Sequence, residues 1–187
     1  MGSAEVQIWR LTDGAKVTIR TIRADDASML QGFVRRLSAR SRRFRFFVAI
    51  AELSAAQLER FVNLDRGRGL ALVALTERPQ GTAIIAEARC VLVEETGNAE
   101  FAVAVADEFQ RRGLGTRLVK SLLAYASGKG IRRLFGEIMA DNHGMLAFVS
   151  RLGFQVSANN SDRTTMIASV LPSMSSPNTT LRVDAAK

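Results

Sequence analysis

An α/β domain, with helices laid against a sheet, is the fold class this sequence predicts, on three observations. Apolar residues recur at helical spacing near residues 29–37 and switch to strand-like runs after Gly69. Beyond Phe101, strand and helix patterns alternate. Hydrophobic residues make up 47% and charged residues 24% of 187 positions, a mixture that supports one packed core and excludes a collagen-like or wholly disordered chain.

The elements follow in chain order. Residues 5–10 and 16–23 alternate apolar and polar around Thr12, Asp13 and Gly14, whose Asp-Gly pair suits a hairpin turn, so two strands open the chain. Asp25 and Asp26 can cap a helix reaching about Arg36, along which Met29, Leu30, Phe33 and Val34 form an apolar stripe. Ser54 with Gln57 is a capping-box pattern ahead of Leu58, Phe61 and Val62. Residues 70–75 and 83–93 read as strands separated by a polar turn from Thr76 to Gly81. Residues 101–105 form a strand, 113–128 a helix with Leu114, Leu118 and Leu122 on one face, and 131–139 another strand. Asp141 or Asn142 can cap a helix bearing Met145, Phe148, Val149 and Leu152, with Gly153 at its end. Residues 154–156 and 164–171 complete the sheet. Residues 1–171 are thus read as one domain, and 172–187, rich in Ser, Thr, Asn and Pro, as a disordered tail.

Twenty-six basic against 18 acidic side chains leave a net charge of +8, which attracts phosphate-bearing ligands, whether nucleic acid or a phosphorylated cofactor. A single cysteine, Cys90, excludes an internal disulfide, and a single histidine, His143, leaves little for a metal site, so metal catalysis is not expected. No apolar run nears the roughly 18 residues of a membrane span, and the start carries neither a signal-peptide core nor a myristoylation motif; the expected location is the cytoplasm, with no membrane partner.

The chemistry concentrates in residues 100–117. A strand is followed by a short turn through Gln110, Arg111 and Arg112, then by Gly113, Leu114, Gly115 and Thr116 at the start of a helix. Glycines let a ligand approach the backbone, and the free amides and positive dipole of a first helical turn favour phosphate. A bare pair of glycines also serves a tight strand-to-helix connection and nothing more.

Gln110-x-x-Gly113-x-Gly115 after an apolar strand, with Asn142 followed by Leu152-Gly153-Phe154, resembles the GNAT superfamily of acetyl-CoA-dependent N-acetyltransferases. Residues 17–23, 33–38, 45–47 and 99–105 further resemble the bacterial Pat-type protein-lysine acetyltransferases. The resemblance implies a mixed, mostly antiparallel sheet of six or seven strands, split between its central pair, with helices on both faces. It implies that Glu100 is the general base, that the amides from Arg111 to Thr116 hold the coenzyme pyrophosphate, and that Val103, Ala104 and Val105 hold the pantetheine arm, with Asn142 and Phe148 also at the coenzyme. The implied cosubstrate is acetyl-CoA, with no metal, and the implied acceptor a protein lysine. A small amine such as a polyamine or aminoglycoside is the alternative acceptor; a coenzyme-A-binding regulator and a basic nucleic-acid module are the non-enzymatic ones.

Such a reaction needs a base, because a lysine ammonium with a pKa of about 10.4 must lose a proton before it attacks a thioester. Glu87 and Glu137, on neighbouring predicted strands, could replace or assist Glu100, although pairing with arginine is the commoner fate of such groups. The family often places a tyrosine seven residues after the asparagine; here that position is Val149. The arginines at 35, 36, 40, 42, 43 and 45, punctuated by Phe44, read as a solvated helix face or a nucleic-acid footprint; the layout that the resemblance implies puts them near the acceptor groove, as a surface selecting acidic protein around the target lysine.

Overall fold

The computed structural model describes residues 6–65 and 67–172, so the stretch 173–187, read as a tail, and Glu5 of the first expected strand lie outside the described residues. One eight-stranded sheet organises the fold, in the order β1-β2-β3-β4-β5-β6-β8-β7. Its strands are β1 (Gln7–Arg10), β2 (Lys16–Thr21), β3 (Gly69–Arg78), β4 (Gly81–Val93), β5 (Asn98–Val105), β6 (Arg133–Met139), β7 (Gln155–Ala158) and β8 (Thr165–Val170). Every neighbouring pair is antiparallel except β5 with β6. The sheet exceeds the expected six or seven strands because both four-residue edges, β1 and β7, pair in register.

Among the described residues five α-helices cover it: α1 (Ala27–Arg36), α2 (Ala39–Phe46), α3 (Ala55–Val62), α4 (Leu114–Gly128) and α5 (His143–Arg151). They lie on two faces, as expected. Leu118, Val119 and Leu122 of α4 and Val149 of α5 belong to one buried cluster, whereas Leu30, Phe33 and Val34 of α1 and Val62 of α3 pack with Val73 and Ile84 in a second. Ser54 caps α3 through the expected capping box, its hydroxyl accepting from the Gln57 N–H at 3.2 Å. Asp26 acts otherwise than expected. It is buried, accepts from the Arg23 N–H at 2.8 Å and grips the Arg20 guanidinium with both oxygens, at 2.5 and 2.7 Å, so it ties the helix start to β2.

The turn between β3 and β4 is also tighter than residues 76–81 suggest. Thr76, Glu77 and Arg78 stay in the ladder, with a cross-strand Thr82 hydroxyl to Glu77 bond of 2.8 Å, so that only Pro79 and Gln80 form the loop. A register shift at Ala74 and Leu75 leaves Ile85 as a bulge in β4, and its carbonyl accepts from the Ala106 N–H at 2.8 Å.

The parting of β5 and β6 creates the site. β5 pairs with β4 along all eight residues but with β6 only through Asn98, Ala99 and Glu100. β6 meanwhile stays paired with β8 as far as Met139. The last close approach requires glycine: a Cβ on Gly136 would stand 2.8 Å from the Phe101 carbonyl oxygen and 2.9 Å from its ring. Beyond that point the sheet opens.

Candidate functional site

A cleft of about 890 Å³ occupies the opening between β5 and β6. Its floor is the free edge of β5. Alternate residues of a strand direct their N–H and C=O groups to the same side. Ala106 donates to β4, so Ala104, of the same parity, is also directed at β4. Val103 and Val105 are of the other parity and face the opening, where the Val105 carbonyl accepts from Gln110 Nε2 at 3.1 Å. Of the three β5 residues expected at the pantetheine arm, Val103 and the N–H of Val105 therefore present free backbone groups to the opening, and Ala104 also lines the cleft.

One end of the cleft is the loop into α4. Arg111 and Gly113 both adopt left-handed backbone, with φ of 60° and 82°, and the turn they make brings successive amides toward one concavity. No side chain caps α4, and the first amide of the helix that finds an acceptor is that of Arg117, bonded to the Gly113 carbonyl at 3.2 Å. A Cβ on Gly115 would meet Val105 and Phe148 at 3.7 Å, so the bare glycine keeps this end of the groove wide. Gln110, Arg111, Gly113, Gly115 and Thr116 line it, with Asn142 and Phe148 opposite. Two of the expected residues turn their side chains elsewhere. Leu114 is buried in the core, and Arg112 pairs with Asp13 at 2.7 Å and stacks on Phe109, so each has only its backbone amide to offer. Asn142 caps α5, its Oδ1 accepting from the Met145 N–H at 3.2 Å, which leaves its amide nitrogen for a ligand.

Glu100 stands at the other end. It is open to the cleft, yet protein packed around its carboxylate pushes its pKa up; the nearby Glu137 raises it further, and the Arg45 guanidinium opposes both. An elevated carboxylate pKa brings a base closer to the pKa of the proton it must take. Glu87 is a different kind of residue. Burial alone would raise its pKa, but Arg89 and Arg45 on either side hold it below the ordinary carboxylate range. It is only 2% exposed, serves as the centre of an internal ion cluster beneath α2 and α3, and does not line the cleft. Glu137 does line it. Val149 is buried in the core, and Tyr125, the chain's one tyrosine, lies away from the cleft, so neither places a hydroxyl there. Cys90 is fully buried, and burial pushes its thiol up to about 11, which removes it as a nucleophile. Among the described residues no group of three or more metal-ligating side chains is found.

The arginine run does not form one acceptor-facing surface. Arg42 donates to the carbonyls of Leu37, Arg35 and Ile50, which closes the end of α1, and Arg45 is spent on Glu87. Arg36 reaches the Ile84 carbonyl, Arg35 pairs with Glu52, and Arg43 with Asp141. Of this run Arg40 alone, stacked on Phe44 at 5.2 Å, holds neither a carboxylate nor a carbonyl among the described residues. Sequence could not separate these roles, because each acceptor lies on another element.

Two features of the site went unread in the sequence. Asp107 accepts from the Ser38 N–H and from the Ser38 and Ser41 hydroxyls at 2.8–2.9 Å, anchoring α2 as a wall of the cleft. Arg151 also lines the cleft, and its signal was present: Met145, Phe148 and Arg151 recur every three residues along one side of α5.

Comparison with known proteins adds three findings. The sequence model of the acetyltransferase (GNAT) family matches residues 35–154. An acetyltransferase of Pseudomonas aeruginosa is 32% identical over 157 residues, 84% of each chain, and the acetyltransferase Pat of Mycolicibacterium smegmatis is 33% identical over 113 residues, 59% of this chain but 33% of that longer protein. The crystal structure of the GNAT domain of S. lividans PAT superimposes with a TM-score of 0.79 at 26% identity, covering 89% of this chain and 96% of that one.

Proposed function

The chain belongs to the acetyltransferase (GNAT) family and is an N-acetyltransferase, and from that premise we propose that it moves the acetyl group of acetyl-CoA directly onto a protein lysine, with Glu100 as the general base. One observation carries the reading: a single cleft has uncapped amides at one end and a carboxylate of raised pKa at the other, joined by the free edge of β5.

The amides from Arg111 to Thr116 suit a pyrophosphate, because they are donors without internal acceptors at the positive end of a fifteen-residue helix. The Val103 and Val105 backbone suits an amide-bearing arm laid along the strand as an additional strand would lie. Asn142 can donate to the same ligand. Acetyl-CoA supplies an activated acyl carbon and a thiolate leaving group. Glu100 takes one proton from the acceptor ammonium; the freed nitrogen pair forms the C–N bond as the C–S bond breaks, that bond's pair departs on sulfur, and the second proton of the new amide nitrogen passes to the departing thiolate or to solvent. A thiol pKa of about 8.5 lets that group leave without a tyrosine beside it, which fits Val149 at the position in question.

The protein acceptor is supported by the likeness to S. lividans PAT and by Phe47 and Val48, which sit exposed where α2 ends at the cleft. A small polyamine acceptor keeps one specific point in its favour. Three of the six arginines that would repel it, Arg35, Arg43 and Arg45, sit against carboxylates of this chain. Coenzyme release, measured against a lysine-bearing protein, spermidine and no acceptor, decides between them. The reading expects the protein substrate to have the larger kcat/KM; a larger value for spermidine would assign the small amine instead.

A further inference from the structure

Glu100 and Glu137 face the same cleft from the two strands that part around it. Glu100 pairs with Phe135 in the β5–β6 ladder, so those two side chains share a face of the sheet. Glu137, two residues beyond Phe135, returns to that face by the period of a strand. Both carboxylates line the cleft, close enough that the charge of one acts on the other.

Among the described residues neither has a cation within ion-pair distance, whereas Glu52, Glu87, Glu94 and Glu108 each hold an arginine. Glu137 is fixed by a neutral donor. Its Oε1 accepts from Asn159 Nδ2 at 2.8 Å, and the same nitrogen donates to the buried Thr165 hydroxyl at 2.9 Å. Asn159 Oδ1 in turn accepts from the Ser161 N–H at 3.0 Å. An amide held by Thr165 and Ser161 therefore orients the Glu137 carboxylate while leaving its charge uncompensated and its second oxygen free. The charged groups around Glu100 are Glu137 from β6 and Arg45 from α2, the latter already engaged by Glu87 of β4, which Arg89 also binds. Two like charges at one opening repel, and a cation placed between them relieves both.

We propose that Glu137 is an acceptor-binding residue that holds the ammonium of a cationic acceptor beside Glu100, so that the enzyme receives its acceptor as a protonated aliphatic amine. The inference rests on the reading of Glu100 as base and adds what delivers the proton to it. The Glu137 carboxylate accepts one N–H of the ammonium while a second N–H points at Glu100. After that proton has moved, the neutral amine binds Glu137 less strongly and is free to form the C–N bond.

The test is steady-state acetyl transfer to a lysine-bearing peptide by wild type and by Glu137→Gln, which keeps the bond to Asn159 possible and removes only the charge. The acceptor KM is expected to rise roughly tenfold or more with kcat changed by less than about threefold, the size of one charge-assisted hydrogen bond. The acid limb of kcat/KM should move to lower pH, because Glu100 has lost its negative neighbour. Glu137→Asp, with the charge restored at shorter reach, should recover part of the KM. Stabilisation by acetyl-CoA in a thermal shift should match wild type in both variants. An unchanged KM and acid limb in Glu137→Gln, with the wild type active, would overturn this inference and leave Glu100 as base; a wild type that acetylates no amine would overturn the functional reading and this inference with it.

Discussion

Asp26 and Glu100 are both carboxylates crowded by protein, and their surroundings push them in opposite directions. Burial works against the charge of Asp26, but both Arg20 nitrogens and the Arg23 amide outweigh it, so its pKa falls below the ordinary range. Glu100 receives no such compensation, and its pKa rises. The consequences for stability have opposite sign. A depressed carboxylate stabilises the fold above the unfolded pKa, near 3.9, and that contribution is lost as pH falls through the folded pKa. Asp26→Asn should therefore cost about 3 kcal/mol at neutral pH, because it strands the Arg20 charge, and should lower the melting temperature by about 10 °C. Melting curves from pH 7 to pH 3 should show the gap to wild type narrowing below about pH 4; a gap that is constant across the range would mean that the ion pair contributes nothing specific. For Glu100 the raised pKa makes its charge a cost to folding at neutral pH, the state that a base must nonetheless occupy to act.

Among the elements, the loop into α4 is the one proposed to hold the coenzyme pyrophosphate, and its geometry is set by backbone conformation. Gly113 sits at φ 82°, where a β-branched residue is strongly disfavoured, and Arg111 already accepts φ 60° beside it. Gly113→Val should therefore rotate the first amides of α4 away from a common ligand. In the wild type a hundredfold excess of acetyl-CoA over its Kd should stabilise by about 2.7 kcal/mol; the variant should lose that thermal shift while still melting cooperatively. A shift equal to wild type would remove the pyrophosphate from this loop. The glycine spacing made the loop legible in sequence, since Gly113 and Gly115 follow an apolar strand, but the left-handed Arg111 left no trace there because it lacks the glycine that usually marks such a position. Strands and helices with apolar periods were legible for the same reason, in that their pattern is local. The arginine run was not. Arg42 and Arg45 lie in the same arginine-rich stretch, yet one closes α1 and the other pairs with Glu87 on a strand 42 residues away.

At the scale of the whole molecule, the fold divides the labour of the site across the sheet's parting. The β4–β5 side brings Glu100, the free strand edge and, through the bulge at Ile85, the bend that ends β5 at Val105. The β6–β8–β7 side brings Glu137 and the Asn159 that orients it. α2 lines the cleft and is fastened from two directions, by Asp107 at its start and by the Arg45–Glu87 pair near its finish. That this parting falls right after Glu100 could not be read from the strand pattern, which shows where strands run but not where neighbours cease to pair. Direct transfer through Glu100 is the central claim, and the rate of coenzyme release by Glu100→Gln with a lysine-bearing protein and saturating acetyl-CoA tests it most directly. The rate should fall roughly 10²- to 10⁴-fold below wild type, with the acetyl-CoA thermal shift unchanged and the melting temperature equal to wild type or higher; a variant that keeps most of the wild-type rate would contradict the assignment of the base.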